Sequence, residues 1–147
     1  MIQRIQTVFL GLATLILAAT FLGGFFSYAK NVSNDDANQI IFHQTGNSEP
    51  TLMLIAIIAM LFAAIAIFLF KNRKMQSTVA GISLLCATAW EVVAIWRTRV
   101  LATEQPDHTI SFYGGLVAGA VAVLLIALAI RAIRADENLV KSADRLR

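Results

Sequence analysis

Glu91 is the residue of this sequence best placed to do chemistry. It stands in an apolar stretch, Met75–Trp96, with Ser83, Cys86, Thr88 and Trp90. An ionisable group at mid-bilayer costs from about 3 to more than 10 kcal/mol, so a chain that keeps one there has a use or a partner for it. Facing the interior of a helix bundle, the carboxyl could bind or relay a proton or a cation. Near the water boundary it needs only to reach a headgroup or a basic side chain. At 1.5 Å per residue, Glu91 lies about 24 Å from Met75, in the outer third of the span. Arg97 and Arg99 sit about 120° and 80° away around an unbroken helix, so neither is an ideal partner. Thr88, three residues earlier, shares its face.

The remaining candidates for chemistry are weaker. His43 and His108 fall in separate loops with no metal-ligand spacing. Asp35 and Asp36 are adjacent acids in a polar loop. Cys86 is the only cysteine, which rules out an intramolecular disulfide and a thiolate cluster. No serine–histidine–acid set, phosphate loop, zincin motif or dinucleotide fingerprint is present. The expectation is therefore a protein that is not an enzyme, with no cofactor and no metal.

The elements that must hold Glu91 follow from hydropathy. Of the 147 residues, 58% are hydrophobic and 14% charged, and mean hydropathy is +0.71. A soluble domain has about 45–50% and 25%. Four stretches reach the roughly 20 apolar residues that cross a bilayer: 5–28, 51–70, 75–96 and 110–130. The first is longer than a signal-peptide core and is read as a retained span. Outer loops are expected at 29–50 and 97–109, and a tail at 131–147. Ile40-Ile41-Phe42 could form a strand in the first loop or dip into the interface. Trp90 and Trp96 read as interfacial anchors.

Charge sets the orientation. Of the 12 basic residues, only Lys30, Arg97 and Arg99 fall on the side of the long loop. The others flank the opposite ends of the spans, so both termini are expected in the cytoplasm. The net charge of +3 then reflects topology and anionic lipid, and no nucleic acid is expected as a partner. Ala56, Ala59, Ala63 and Ala66 share one face of the second span, and Gly115 and Gly119 have GxxxG spacing in the fourth. Both faces allow close helix packing. In the tail, Arg134, Asp136, Glu137, Lys141, Asp144 and Arg145 make a mixed-charge pattern, which suits a protein partner better than bare lipid.

The two ends carry a resemblance. Met1-Ile2-Gln3-Arg4-Ile5-Gln6-Thr7 and the run from Ile133 to Arg147 (IRADENLVKSADRLR) resemble a Bacteroidetes family of small four-span inner-membrane proteins, known as a domain of unknown function. The likeness spans the whole chain, with looser middles. It implies a bacterial cytoplasmic membrane and supplies no activity. The expected fold is all-α: one integral membrane four-helix bundle, termini inside, with a cytoplasmic helical tail. The expected function is a non-catalytic accessory or scaffold protein whose tail binds a membrane or cytoplasmic partner. A small oligomeric proton-coupled transporter or channel using Glu91 is the alternative, and it would require self-association.

Overall fold

The computed structural model describes residues 2–23, 26–30, 41–44, 50–104, 108–112 and 114–145, with side chains for 5–20, 50–100, 103, 114–140 and 142. Four helices carry the fold: α1 (Ile2–Gly23), α2 (Pro50–Phe68), α3 (Arg73–Glu104) and α4 (Gly114–Arg145). Around the bundle, α1 packs on α2 and α4, and α3 packs on α2 and α4. Among the described residues, three helices are long and apolar enough to cross a membrane, within 50–68, 73–100 and 114–140, the composition of a membrane protein. The described apolar part of α1 is the shorter stretch Ile5–Thr20.

Packing follows one period in every helix. Buried positions at this spacing are 6, 10, 13, 17 and 20 in α1; 52, 56, 59, 63 and 66 in α2; 76, 80, 83, 87, 90, 94 and 98 in α3; and 115, 119, 122, 126, 129 and 133 in α4, with Val79 and Ile130 buried beside them. Steps of three and four repeat every seven residues, the spacing that keeps helices in register along a left-handed bundle. Most of these side chains are small, and Leu15, Leu54, Leu61, Leu85 and Leu124 point outward. Large apolar groups outside and alanines inside suit a lipid solvent, where close backbone approach rather than water exclusion drives packing.

Polar groups on the seams are satisfied locally or across helices. The Ser83 hydroxyl donates to the Ala59 carbonyl at 2.8 Å, joining α3 to α2. Gln6 Nε2 donates to Ala132 O at 3.2 Å, joining α1 to α4. Thr14, Thr20 and Thr98 donate back into their own helices. At the α2–α3 turn, Asn72 Oδ1 caps the Met75 N–H at 3.3 Å, the usual work of an N-cap asparagine.

Several boundaries differ from the expected ones. The first helix ends at Gly23, not 28, and Phe26–Lys30 is a strand, β1. Its aromatic content favours extended backbone. Strand β2 (Ile41–Gln44) realises the strand reading of the first loop. Strand β3 (His108–Phe112) occupies the expected start of the fourth span, so α4 begins at Gly114 rather than 110. Together they form an antiparallel sheet in the order β2-β1-β3. Tyr28 pairs with Phe42 on one side and Ile110 on the other, and the register shifts between Ser27 and Tyr28. This sheet is an addition to the helical bundle. The third helix also outruns its expected limits at both ends, reaching Glu104 through most of the expected 97–109 loop. Past Trp96 no Gly or Pro interrupts it before Pro106, so a polar helix continues where apolarity ends.

Candidate functional site

Two places gather the residues with chemistry. The first is the α3–α4 seam at the sheet end. Glu91 and Trp90 both press on Gly119, so closely that a Cβ there would collide with Glu91 Oε1 and lie 2.7 Å from the Trp90 ring. Glu91 Oε1 is buried, and among the described residues it has no hydrogen-bond partner. Gly115, one turn away, is also buried. Gly119 thus leaves the hollow that receives the carboxyl of α3, a close approach no other residue type permits. Glu91 is 18 residues from Arg73, about 27 Å along the axis, so this seam lies near one boundary of the apolar layer.

Neighbouring side chains divide into core and surface. Trp90 is 2% exposed and packs with Leu52, Ala56 and Ala94, so it is a core residue and not the interfacial anchor expected of it. Ala56 of α2 leaves room for the ring between Leu52 and Ala94. Trp96 is 59% exposed, with the Arg97 guanidinium 5.6 Å from its ring centre, and it fits the anchoring position. Of the hydroxyls near Glu91, Ser83 is spent on Ala59 and Thr88 donates to Leu85 O. They do not converge on the carboxyl. His43 lies opposite Ser27 and His108 opposite Lys30, on the two outer strands of the sheet. That puts them about 10 Å apart across the sheet and about 10 Å along it. Asp35 and Asp36 lie outside the described residues.

The second place is the opposite end of the bundle, where the α2–α3 turn meets the extension of α4. Arg73 Nη1 donates to the main-chain oxygen of Asp136 at 3.2 Å and lies 3.1 Å from its Oδ2. The carboxylate contact is ionic rather than an aligned hydrogen bond. Arg73 is 28% and Asp136 14% exposed, so this pair is half-shielded from water. It holds α4 to α3 at the point where the apolar part of α4 gives way to its charged tail. Beyond it the helix runs unbroken to Arg145, as expected for the tail.

The six charged tail residues therefore do not form one surface. Asp136 is turned to Arg73. Glu137 faces the same turn, lining a cavity with Lys71, Asn72, Arg73, Lys74 and Val140. Arg134 is exposed on the outer flank, as are Asn138, Leu139 and Ser142. Lys141, Asp144 and Arg145 belong to the helix, but their side chains lie outside the described residues. By helical spacing, 134, 141 and 145 fall within an arc of about 40°. The basic turn accounts for this segregation, since it attracts the two acids.

No curated protein and no solved structure matches the chain. A family model does match, over residues 2–146, and the chain belongs to that family, the Domain of unknown function (DUF4293).

Proposed function

We propose that this is a four-span protein of the bacterial cytoplasmic membrane that works without catalysis, holding a partner protein on the outer flank of the α4 extension. The α1 helix has 22 residues, about 33 Å, which is long enough to serve as the fourth span. The Gln6–Ala132 and Arg73–Asp136 contacts lie at one end of the bundle, and Lys71, Lys74, Arg131 and Arg134 lie there too, which favours placing that end in the cytoplasm.

The observation that carries the reading is the brace. A helix tail held only by its own propensity would fray, because short isolated helices are marginal in water. Here the Arg73–Asp136 contact anchors the extension and leaves Arg134 and Leu139 (56% exposed) on the outward side. Leu139 lies about 140° around the helix from Arg134, so the two suit a partner that wraps the exposed side of the extension with an apolar patch and acids apart from each other. The double variant Arg134→Glu, Leu139→Ala is expected to cut partner recovery from native membranes about tenfold, the effect of losing about 1.4 kcal/mol. Its melting should match the parent, since both side chains are exposed. Undiminished recovery would refute the reading.

One observation favours the alternative, the buried unpartnered Oε1 of Glu91. A transporter or channel would use that carboxyl for a proton or cation, with copies of the chain enclosing the path. Glu91→Gln keeps the shape and removes the charge. Under the scaffold reading the variant grows and captures partner like the parent. Loss of a transmembrane ion or proton flux in vesicles carrying the variant would favour transport instead.

A further inference from the structure

We propose that the cavity between the α2–α3 turn and the α4 extension holds an anionic phosphate group, as a phospholipid headgroup or as the free anion. The cavity has a volume of about 380 Å³, within the range of small-ligand sites. Lys71, Arg73 and Lys74 supply three cations to its wall against the single carboxylate of Glu137. Lys71 and Lys74 are exposed, and neither has an ion-pair partner among the described residues. Arg73 spends only Nη1 on Asp136, which leaves the Nε and Nη2 hydrogens of the guanidinium without a protein acceptor among the described residues. Asp136 thus fixes the guanidinium and does not exhaust it.

The backbone adds to the same field. Arg73 opens α3, so the positive end of a 32-residue helix lies at the cavity wall. Asn72 caps the N–H of Met75. The first-turn N–H groups of Arg73 and Lys74 have no carbonyl four residues back within the helix, and such groups bind phosphate elsewhere. Val140 closes the other side with an apolar surface.

Depth selects the ligand class. The buried apolar run of α4 ends at Ile133, and Phe68 and Phe70 are exposed at the end of α2. The cavity therefore opens at the level where headgroup phosphates lie. Basic pockets between helices at this level bind anionic headgroups. The inference stands whether or not the extension captures a protein.

The test uses the intact protein, purified in a neutral detergent and offered phosphatidylglycerol or phosphatidylcholine, with retained lipid counted by native mass spectrometry. The parent is expected to retain phosphatidylglycerol about tenfold over phosphatidylcholine, because basic residues at a membrane surface favour anionic headgroups. Lys71→Gln with Lys74→Gln should abolish the preference. Both residues are exposed, so the fold survives, and an unchanged melting curve checks this. Val140→Trp narrows the cavity with every charge in place and should weaken the preference. Displacement of phosphatidylglycerol by inorganic phosphate, against chloride at equal ionic strength, would identify the free anion as a ligand. Retention against that competitor would identify the lipid. Equal retention of the two lipids by the parent, or a preference that survives Lys71→Gln with Lys74→Gln, would overturn the proposal.

Discussion

Replacing Gly119 with alanine is expected to destabilise the bundle by about 1–3 kcal/mol, the usual cost of forcing an extra methyl into a packed core. The added Cβ would run into the Glu91 carboxyl and the Trp90 ring. The carboxyl sits at the end of a flexible chain and can swing aside. The ring cannot, since Leu52, Ala56 and Ala94 pack with it as core. The helices must then separate, and Gly119→Val should separate them further. Glu91→Ala should recover part of the loss in the double variant, and Trp90 should retain the rest. A double-mutant cycle in detergent, read by thermal unfolding, measures that coupling. Identical melting of Gly119→Ala and the parent would show that the Trp90 ring does not press on Gly119.

Loosening the brace at the other end is expected to act on the extension. Arg73→Ala removes both contacts to Asp136, and Asp136→Ala removes only the carboxylate, because the main-chain oxygen remains. Hydrogen bonds to charged groups contribute about 1.5–3 kcal/mol, and partial exposure lowers that to about 1–2 here. Amide exchange from Glu137 onward should therefore accelerate about fivefold to thirtyfold in Arg73→Ala, and less in Asp136→Ala. The apolar part of α4 should keep its protection. Equal protection of the extension in parent and Arg73→Ala would mean that it stands without the brace.

How much of this could be read from residues alone differs between elements. The four helices follow from apolar length, and the alanine face of α2 is visible as spacing: Ala56, Ala59, Ala63 and Ala66 are all buried. The strands are harder to see. Phe26–Lys30 and His108–Phe112 adjoin apolar runs that look like helix by hydropathy, and only pairing partners distant in the chain distinguish them. Trp90 misleads for a similar reason. A tryptophan near a span end usually marks the interface, and nothing local reveals that Leu52 and Ala56 of α2 pack with it.

The two candidate sites show the same limit. Glu91 and Gly119 stand out separately, one as a membrane acid and the other as half of a GxxxG pair. Their contact depends on the register of α3 against α4, and β3 and residues outside the described set lie between those helices. Register is a three-dimensional quantity that spacing within one helix does not contain. The Arg73–Asp136 pair is hidden likewise, although it explains why the charges of the tail are divided between an acidic inner side and a basic flank. The sequence signal that went furthest was small-residue spacing, since Ala56, Ala59, Ala63, Ala66, Gly115 and Gly119 all lie on the inner seams.

The central claim is that the extension beyond the brace holds a partner. The most direct test deletes 137–147, keeping Asp136 and hence the contact with Arg73. The intact and shortened proteins, tagged at the N-terminus, are extracted from native membranes in mild detergent, and the co-purifying proteins are quantified. A stoichiometric partner with the intact chain, reduced at least about tenfold by the deletion while the bundle melts as before, is the expected result. Recovery of the same partner at the same level from the shortened chain would contradict the claim, as would recovery of the protein alone from both.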